Sequence, residues 1–182
     1  CEIVKLVLPV VFGDDLQSKL IAAIKEHNPT HVFNLGLAAG RFEMSLERVA
    51  INLDDGRIAD NNGFQPIDST IKEDGMPAYF TTMPVKAMNK AIQDAGIPSV
   101  ISYTAGTYVC NHTMYNLLYY IAQNNLDTRG IFVHVPYLSK QTIGMRNMPS
   151  LSLAQMVEAM TIAITVASSN DEDIKVVGGN VC

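Results

Sequence analysis

At 182 residues the chain is long enough to bury one substantial core and too short for two domains of ordinary size. Hydrophobic residues at 48% and charged residues at 17% exclude a disordered polypeptide, and a net charge of -5 without any basic cluster excludes a nucleic-acid surface. The longest apolar run, near Ala159 to Ala167, is about half of the roughly 20 residues a membrane-spanning helix needs, so no membrane span is expected either.

Ile3 to Leu8 carries a strand pattern closed by Pro9. Asp14 and Asp15 then offer caps and dipole-compatible charge to a helix whose apolar face is Leu16, Leu20, Ile21 and Ile24, stopping before Pro29. His31 to Leu35 predicts the next strand, ending in the turn Gly36-Leu37-Ala38-Ala39-Gly40. From Arg48 to Leu53 the character alternates, with Val49, Ile51 and Leu53 on one side and Ala50 and Asn52 on the other. Asp54 to Phe80, rich in Asp, Asn, Gly and Pro, reads as loops or short hairpin pieces, and loops this long in a compact domain usually serve a site. Pro84 suits a first helical position, and Val85, Met88, Ala91 and Ile92 form a stripe that ends at Gly96.

Ser99 to Ser102 predicts a short buried strand, and Val109, Leu117, Leu118 and Ile121 mark the helix after it. Gly130 to Val135 is a buried strand stopped by Pro136. The last helix opens on the capping box Ser152-Leu153-Ala154-Gln155 and shows a face of Leu153, Met156, Val157, Met160 and Ile164. This alternation implies an α/β fold, a single-domain α/β/α sandwich with a mostly parallel twisted sheet. In such sheets ligands sit at the carboxyl ends of strands, which is where Cys110 and His134 are expected.

The three cysteines are Cys1, Cys110 and Cys182, with no Cys-x-x-Cys spacing. Neither a zinc site nor a disulfide framework is indicated, and a reducing, cytoplasmic setting fits. Cys110 falls in the first turn of a helix that follows a strand, where unpaired N–H groups and the helix dipole stabilise a thiolate. Thr104 or Thr107 could cap that helix. A buried cysteine can equally be a small core hydrophobe. A thiolate needs a group that takes its proton and later protonates the leaving amine, and His134, at the end of the next strand, can serve; it could also be a core histidine bonded to a carbonyl. A third group orients such an imidazole. Glu47 is a candidate, the alternative being a surface carboxylate paired with Arg41 or Arg48.

Gly36-Leu37-Ala38-Ala39-Gly40-Arg41, Leu46 to Asn52, Asp60-Asn61, Tyr79-Phe80 to Ala87, Ser102 to Asn111, and Phe132 to Tyr137 with Gln141 together resemble the pyroglutamyl peptidase I family, also called pyrrolidone-carboxylate peptidases. The resemblance covers nearly the whole chain. It implies a cysteine exopeptidase that hydrolyses the amide after an N-terminal pyroglutamyl residue, with Cys110 as nucleophile, His134 as base and acid, and Glu47 as supporting carboxylate. It implies no metal and no cofactor. Tyr108 and Val109 stand where the family lines its pyrrolidone pocket, Arg57 near a basic residue associated with the site, and Leu37 at a position that is Gln in some members. N-terminally pyroglutamylated peptides are the implied partners, and a homotetramer the implied assembly. Cys182 could in principle form an intersubunit disulfide, which a reducing compartment disfavours.

The family opens with a strand and a Phe-x-Pro-Phe-Gly-Gly turn that supply aromatic walls to the pocket, and nothing here matches them. The expectation is therefore one pyroglutamyl-peptidase-like domain over residues 1–182, with that strand and turn lying outside the printed sequence. Two other readings remain open at this point: a non-catalytic binder of N-terminally blocked peptides, and a cysteine amidase of different substrate.

Overall fold

The computed structural model describes residues 2–179. Its helices are α1 (Asp14–His27), α2 (Val85–Asp94), α3 (Val109–Gln123) and α4 (Leu153–Ser169). Its strands are β1 (His31–Leu37), β2 (Met44–Glu47), β3 (Val49–Ile51), β4 (Ala78–Phe80), β5 (Ser99–Ser102), β6 (Arg129–Val135), β7 (Tyr137–Leu138) and β8 (Ser150–Leu151). A four-stranded sheet has the order β1-β6-β2-β5, and β3 with β4 and β7 with β8 form two small ladders. β2 runs parallel to β5 and antiparallel to β6. Arg129 N donates to Thr30 O where β1 and β6 begin, and Ala38 N donates to Val135 O where they end, so that pair is parallel as well. The sheet is mixed but mostly parallel, and the α/β class holds.

The chain forms two compact units from interleaved segments. The first takes the described residues up to Val32, then Val49–Thr81 and Thr104–Gly130. Within it, Leu20 and Ile24 of α1 pack with Leu117 and Ile121 of α3, and Val11, Phe12 and Leu16 pack with Val109. Nearly all of α3 from Val109 to Leu118 is buried, so its polar side chains must find partners inside. Asn111 does so by bonding Ile51 N, Ile51 O and Leu53 O, which ties β3 to the helix.

The second unit takes Phe33–Arg48, Thr82–Tyr103 and the chain from Ile131 onward. Its core gathers Met44 and Leu46 of β2, Met88 and Ile92 of α2, Ile101 of β5, Ile131 and Val133 of β6, and Met156, Ala159, Ala163 and Ala167 of α4. Alanines repeating every four residues on α4 let α2 approach it closely. The inward face of α4 is therefore narrower than the expected apolar stripe, and Leu153 and Val157 are 62% and 56% exposed. Met156 and Met160 of the expected face do pack in the core, but Leu153 and Val157 do not, because the rest of the inward contact is made by alanines.

Other expectations also need correction. Ile3 to Leu8 forms no strand: no described strand pairs with it, and Val7 is 84% exposed. The alternating stretch from Arg48 to Leu53 forms a strand only over Val49–Ile51, in which Ala50 is fully buried and its two neighbours are half-buried. β2, just before it, has all four residues buried and so shows no alternation to read. Gly13 is the N-cap of α1, in the left-handed region at φ 81, while Asp14 and Asp15 supply first-turn charge. Pro84 is the N-cap of α2 rather than its first residue. The N-cap of α3 is Tyr108, without a side-chain cap bond, because Thr104 Oγ1 accepts from Gly106 N and Thr107 Oγ1 donates to Asp55 O. The Ser152–Gln155 capping box is formed as expected. Among the described residues no helix is long and apolar enough to cross a membrane. Cys1, Cys182 and any disulfide through Cys182 lie outside the described residues.

Candidate active site

The second unit contains a buried carboxylate–imidazole pair. Glu47 is the last residue of β2, opposite Phe132 on the antiparallel neighbour β6. His134, two residues along β6, therefore shares that face and sits diagonally across from Glu47, within reach of a long side chain. His134 Nδ1 lies 2.7 Å from Glu47 Oε1. The same oxygen accepts from Arg41 Nη1 at 2.8 Å, from the turn after β1.

Glu47 is 0% exposed, and a carboxylate so placed requires such partners; the guanidinium and the imidazole provide them. Glu47 Oε2 has no hydrogen-bond partner among the described residues. When Nδ1–H donates to the carboxylate, Nε2 is left with its lone pair outward, the form in which histidine acts as a base. The Phe132 ring, 4.8 Å from the imidazole, restricts its rotation. Arg41, the structural partner expected as the alternative for Glu47, and His134 thus share one oxygen. Arg48 instead lies 3.8 Å from Asp173.

Cys110 belongs to the first unit and is the second residue of α3, partly exposed and outside any disulfide. Its position at the positive end of the helix dipole favours a thiolate. Tyr108, the N-cap, donates from its hydroxyl to Ala59 O. Burial, helped by the charges of Asp60 and Cys110, pushes the Tyr108 hydroxyl above its ordinary value of 10.0, so it remains a donor in the neutral form. Val109 is 4% exposed among Val11, Phe12 and Leu16. Arg57 is exposed on the loop after Asp54, and Leu37 in the second unit is 47% exposed at the end of β1.

Several residues in the first unit escaped the sequence reading. Phe12 lies edge-on to Tyr108, Phe64 and His112, at 5.2, 6.3 and 5.6 Å between ring centres. Asp60 draws the neighbouring loop together by accepting from Phe12 N, Asn62 N and Phe64 N. His112, two residues after Cys110, is buried with Nδ1 2.7 Å from Asp54 Oδ2 and accepts from Gly13 N at Nε2. The one available signal was a histidine on the same helical turn as the cysteine. Among the described residues no three His, Cys, Asp or Glu side chains gather as metal ligands would.

Comparison with known proteins follows the same lines. The pyroglutamyl peptidase family model matches residues 1–170. The pyrrolidone-carboxylate peptidase of Alkaliphilus oremlandii is 49% identical over 181 residues, covering 100% of this chain and 84% of that protein. That of Yersinia pestis is 45% identical over 180 residues, 99% of this chain and 83% of that one. The crystal structure of pyroglutamyl peptidase I from Bacillus amyloliquefaciens superposes with a TM-score of 0.89 at 41% identity, over 93% of this chain and 80% of that one. The pyrrolidone carboxyl peptidase of Thermococcus litoralis gives 0.84 at 37% identity, over 90% and 78%.

Proposed function

The chain belongs to the pyroglutamyl peptidase family, and from that premise we propose that it is a cysteine exopeptidase hydrolysing the amide bond after an N-terminal pyroglutamyl residue of peptides, with Cys110, His134 and Glu47 as its reacting set. The observation that carries the assignment of roles is the buried Glu47–His134 pair, which fixes one imidazole tautomer.

In this reading His134 Nε2 takes the Cys110 thiol proton, and the sulfur adds to the pyroglutamyl carbonyl carbon. The oxyanion develops against first-turn N–H groups of α3, where the helix dipole is favourable. His134 then gives its proton to the departing peptide amine, leaving a thioester. Water, deprotonated by the same nitrogen, releases pyroglutamate and restores the thiol. Glu47 orients the imidazole and balances its charge while it is protonated. No cofactor enters any step.

Tyr108 and Val109 would form the apolar side of the lactam site, with Leu37 and Arg57 as further contacts. A site that also hydrogen-bonds the lactam N–H and C=O strongly rejects substrates lacking them, because buried polar groups would be left unpaired. A panel of N-terminally blocked chromogenic amides, with and without a thiol alkylator, tests the reading. Alkylator-sensitive release from the pyroglutamyl amide alone is expected. No release from it with retained binding would indicate a binder, and release from a different blocked amide an amidase.

The same reading extends to setting and assembly. A partly exposed thiolate is prone to oxidation, so a reducing, cytoplasmic setting is proposed. The exposed Leu153 and Val157 on α4 suit burial between copies, so a homo-oligomer, a tetramer on the family's pattern, is proposed. Neither a nucleic acid nor a membrane is proposed as partner. Light scattering of the wild type and of Leu153→Glu with Val157→Glu tests the assembly.

A further inference from the structure

The buried pair His112–Asp54 has no part in the chemistry above, yet its geometry is specific. Gly13 N–H is a donor and nothing else, so His112 Nε2 must accept it at 3.1 Å. The ring proton then sits on Nδ1 and is donated to Asp54 Oδ2, 2.7 Å away. With its lone pair committed to Gly13, this imidazole is not available as a base for Cys110.

What the bond does is hold a segment. Consecutive N–H groups of Phe12 and Gly13 are captured by two side chains, Asp60 and His112. Asp60 also collects Phe64 N, Asn61 N donates to Val10 O, and Tyr108 donates to Ala59 O. Three stretches, around residues 10–13, 59–64 and 108–112, are thereby fastened beneath one aromatic group of Phe12, Phe64 and Tyr108. Phe12 is buried, whereas Phe64 is 58% exposed and Tyr108 partly so. The group thus offers an aromatic edge to the exterior just ahead of Cys110.

We propose that His112, oriented by Asp54, is a positioning residue for substrate binding: by anchoring Gly13 it sets the Phe12–Phe64–Tyr108 group as the wall that receives the lactam ring. This rests on the functional reading above. His112 acts through the loop it holds, so its loss weakens ring binding and leaves the thiol chemistry intact.

His112→Phe keeps a ring edge-on to Phe12 and removes the acceptor, while His112→Gln can present Oε1 to Gly13 N. With a pyroglutamyl coumarin amide, His112→Phe should raise KM about tenfold, the effect of losing one buried hydrogen bond, with kcat within about twofold of wild type. His112→Gln should bring KM most of the way back. Amide exchange at Gly13, read by mass spectrometry without substrate, should quicken in His112→Phe and not in His112→Gln, and iodoacetamide should modify Cys110 at the wild-type rate in both.

An unchanged KM in a folded His112→Phe protein overturns the proposal, as does a fall in kcat together with slower alkylation, which would mean that His112 acts on the thiol. If His112→Phe does not fold, Asp54→Ala, which leaves the ring in place without its orienting carboxylate, is read by the same three measurements and the same criteria. A wild-type protein that does not turn over the amide indicts the functional reading instead, and the Gly13 exchange still reports whether the anchor exists.

Discussion

Glu47 Oε1 accepts two charged-type hydrogen bonds at once, from Arg41 Nη1 at 2.8 Å and from His134 Nδ1 at 2.7 Å. Replacing the carboxylate by an amide changes the chemistry without changing the volume. In Glu47→Gln the side-chain NH2 can face His134 Nδ1, which would have to accept; the ring proton would then move to Nε2 and the base would be lost. Turnover should fall at least about tenfold, and His134→Ala should cost about 10² to 10⁴ in kcat, the usual range for removing a general acid–base. KM should change far less in both. Turnover and pH profile unchanged in Glu47→Gln would reduce that carboxylate to the structural partner of Arg41.

Cys110, second in α3 and partly exposed, is expected to be the thiol that iodoacetamide modifies with loss of activity. Pyroglutamate or 2-pyrrolidone should slow the reaction by covering it. Peptide mapping by mass spectrometry decides: inactivation with Cys110 unmodified and Cys1 or Cys182 labelled would transfer the nucleophile's role elsewhere.

The sequence conveyed the local pattern around Cys110 and His134 well, because a strand running into a helix leaves marks in period and punctuation. β5 at Ser99–Ser102 and the Ser152 cap follow from the residues alone. Pairing direction is not written locally. Nothing in Met44 to Glu47 says that its neighbour runs the other way, yet that antiparallel step puts His134 diagonal to Glu47. Burial on both faces of β2 also erased the alternation that would have revealed it. Long-range polar anchors were equally hidden: His112 meets Asp54 from 58 residues away and Gly13 from 99. In α4 the expected face was half right: Met156 and Met160 pack in the core, but Ala159, Ala163 and Ala167 share that inward face while counting least in an apolar stripe.

Asp60 gives a pH dependence whose sign can be worked out. Burial alone would raise its carboxyl, but the N–H groups of Phe12, Phe64, Asn62 and Gly63 outweigh that and hold it below the ordinary 3.8. A carboxyl lowered in the folded protein contributes stability that is present above its unfolded value and is lost as pH falls through the folded one. The Tm difference between wild type and Asp60→Asn should therefore be largest near neutrality and shrink as pH drops below 3.8. Amide exchange at Phe12 and Phe64 should quicken over the same acid range. A difference that stays constant down through that range would show that the carboxylate charge is not what holds the loop.

The last prediction concerns a cap supplied from far along the chain. The N-cap of α2 is Pro84, whose side chain cannot accept a hydrogen bond, and no acidic residue lies in the first turn. Asp173 fills the gap: its Oδ2 accepts from Lys86 N at 3.0 Å and its Oδ1 from Ala87 N at 2.9 Å. It does so as an anion at the positive end of the helix, which is where a carboxylate is most favourable. The stretch around it is fastened by Lys86 Nζ donating to Val176 O and Tyr103 hydroxyl donating to Gly178 O. Asp173→Ala should lower stability by about 1 kcal/mol, the usual cost of removing a helix cap, while Asp173→Asn, which keeps one acceptor, should cost less. Denaturant melts measure the loss, and carboxypeptidase digestion should remove the stretch after residue 170 faster in Asp173→Ala than in wild type. Because α2 packs on α4 through the alanine face, the exchange protection of both helices should fall together. If the stretch is digested faster while both helices keep their stability, Asp173 tethers the tail to α2 without supporting the helix it caps.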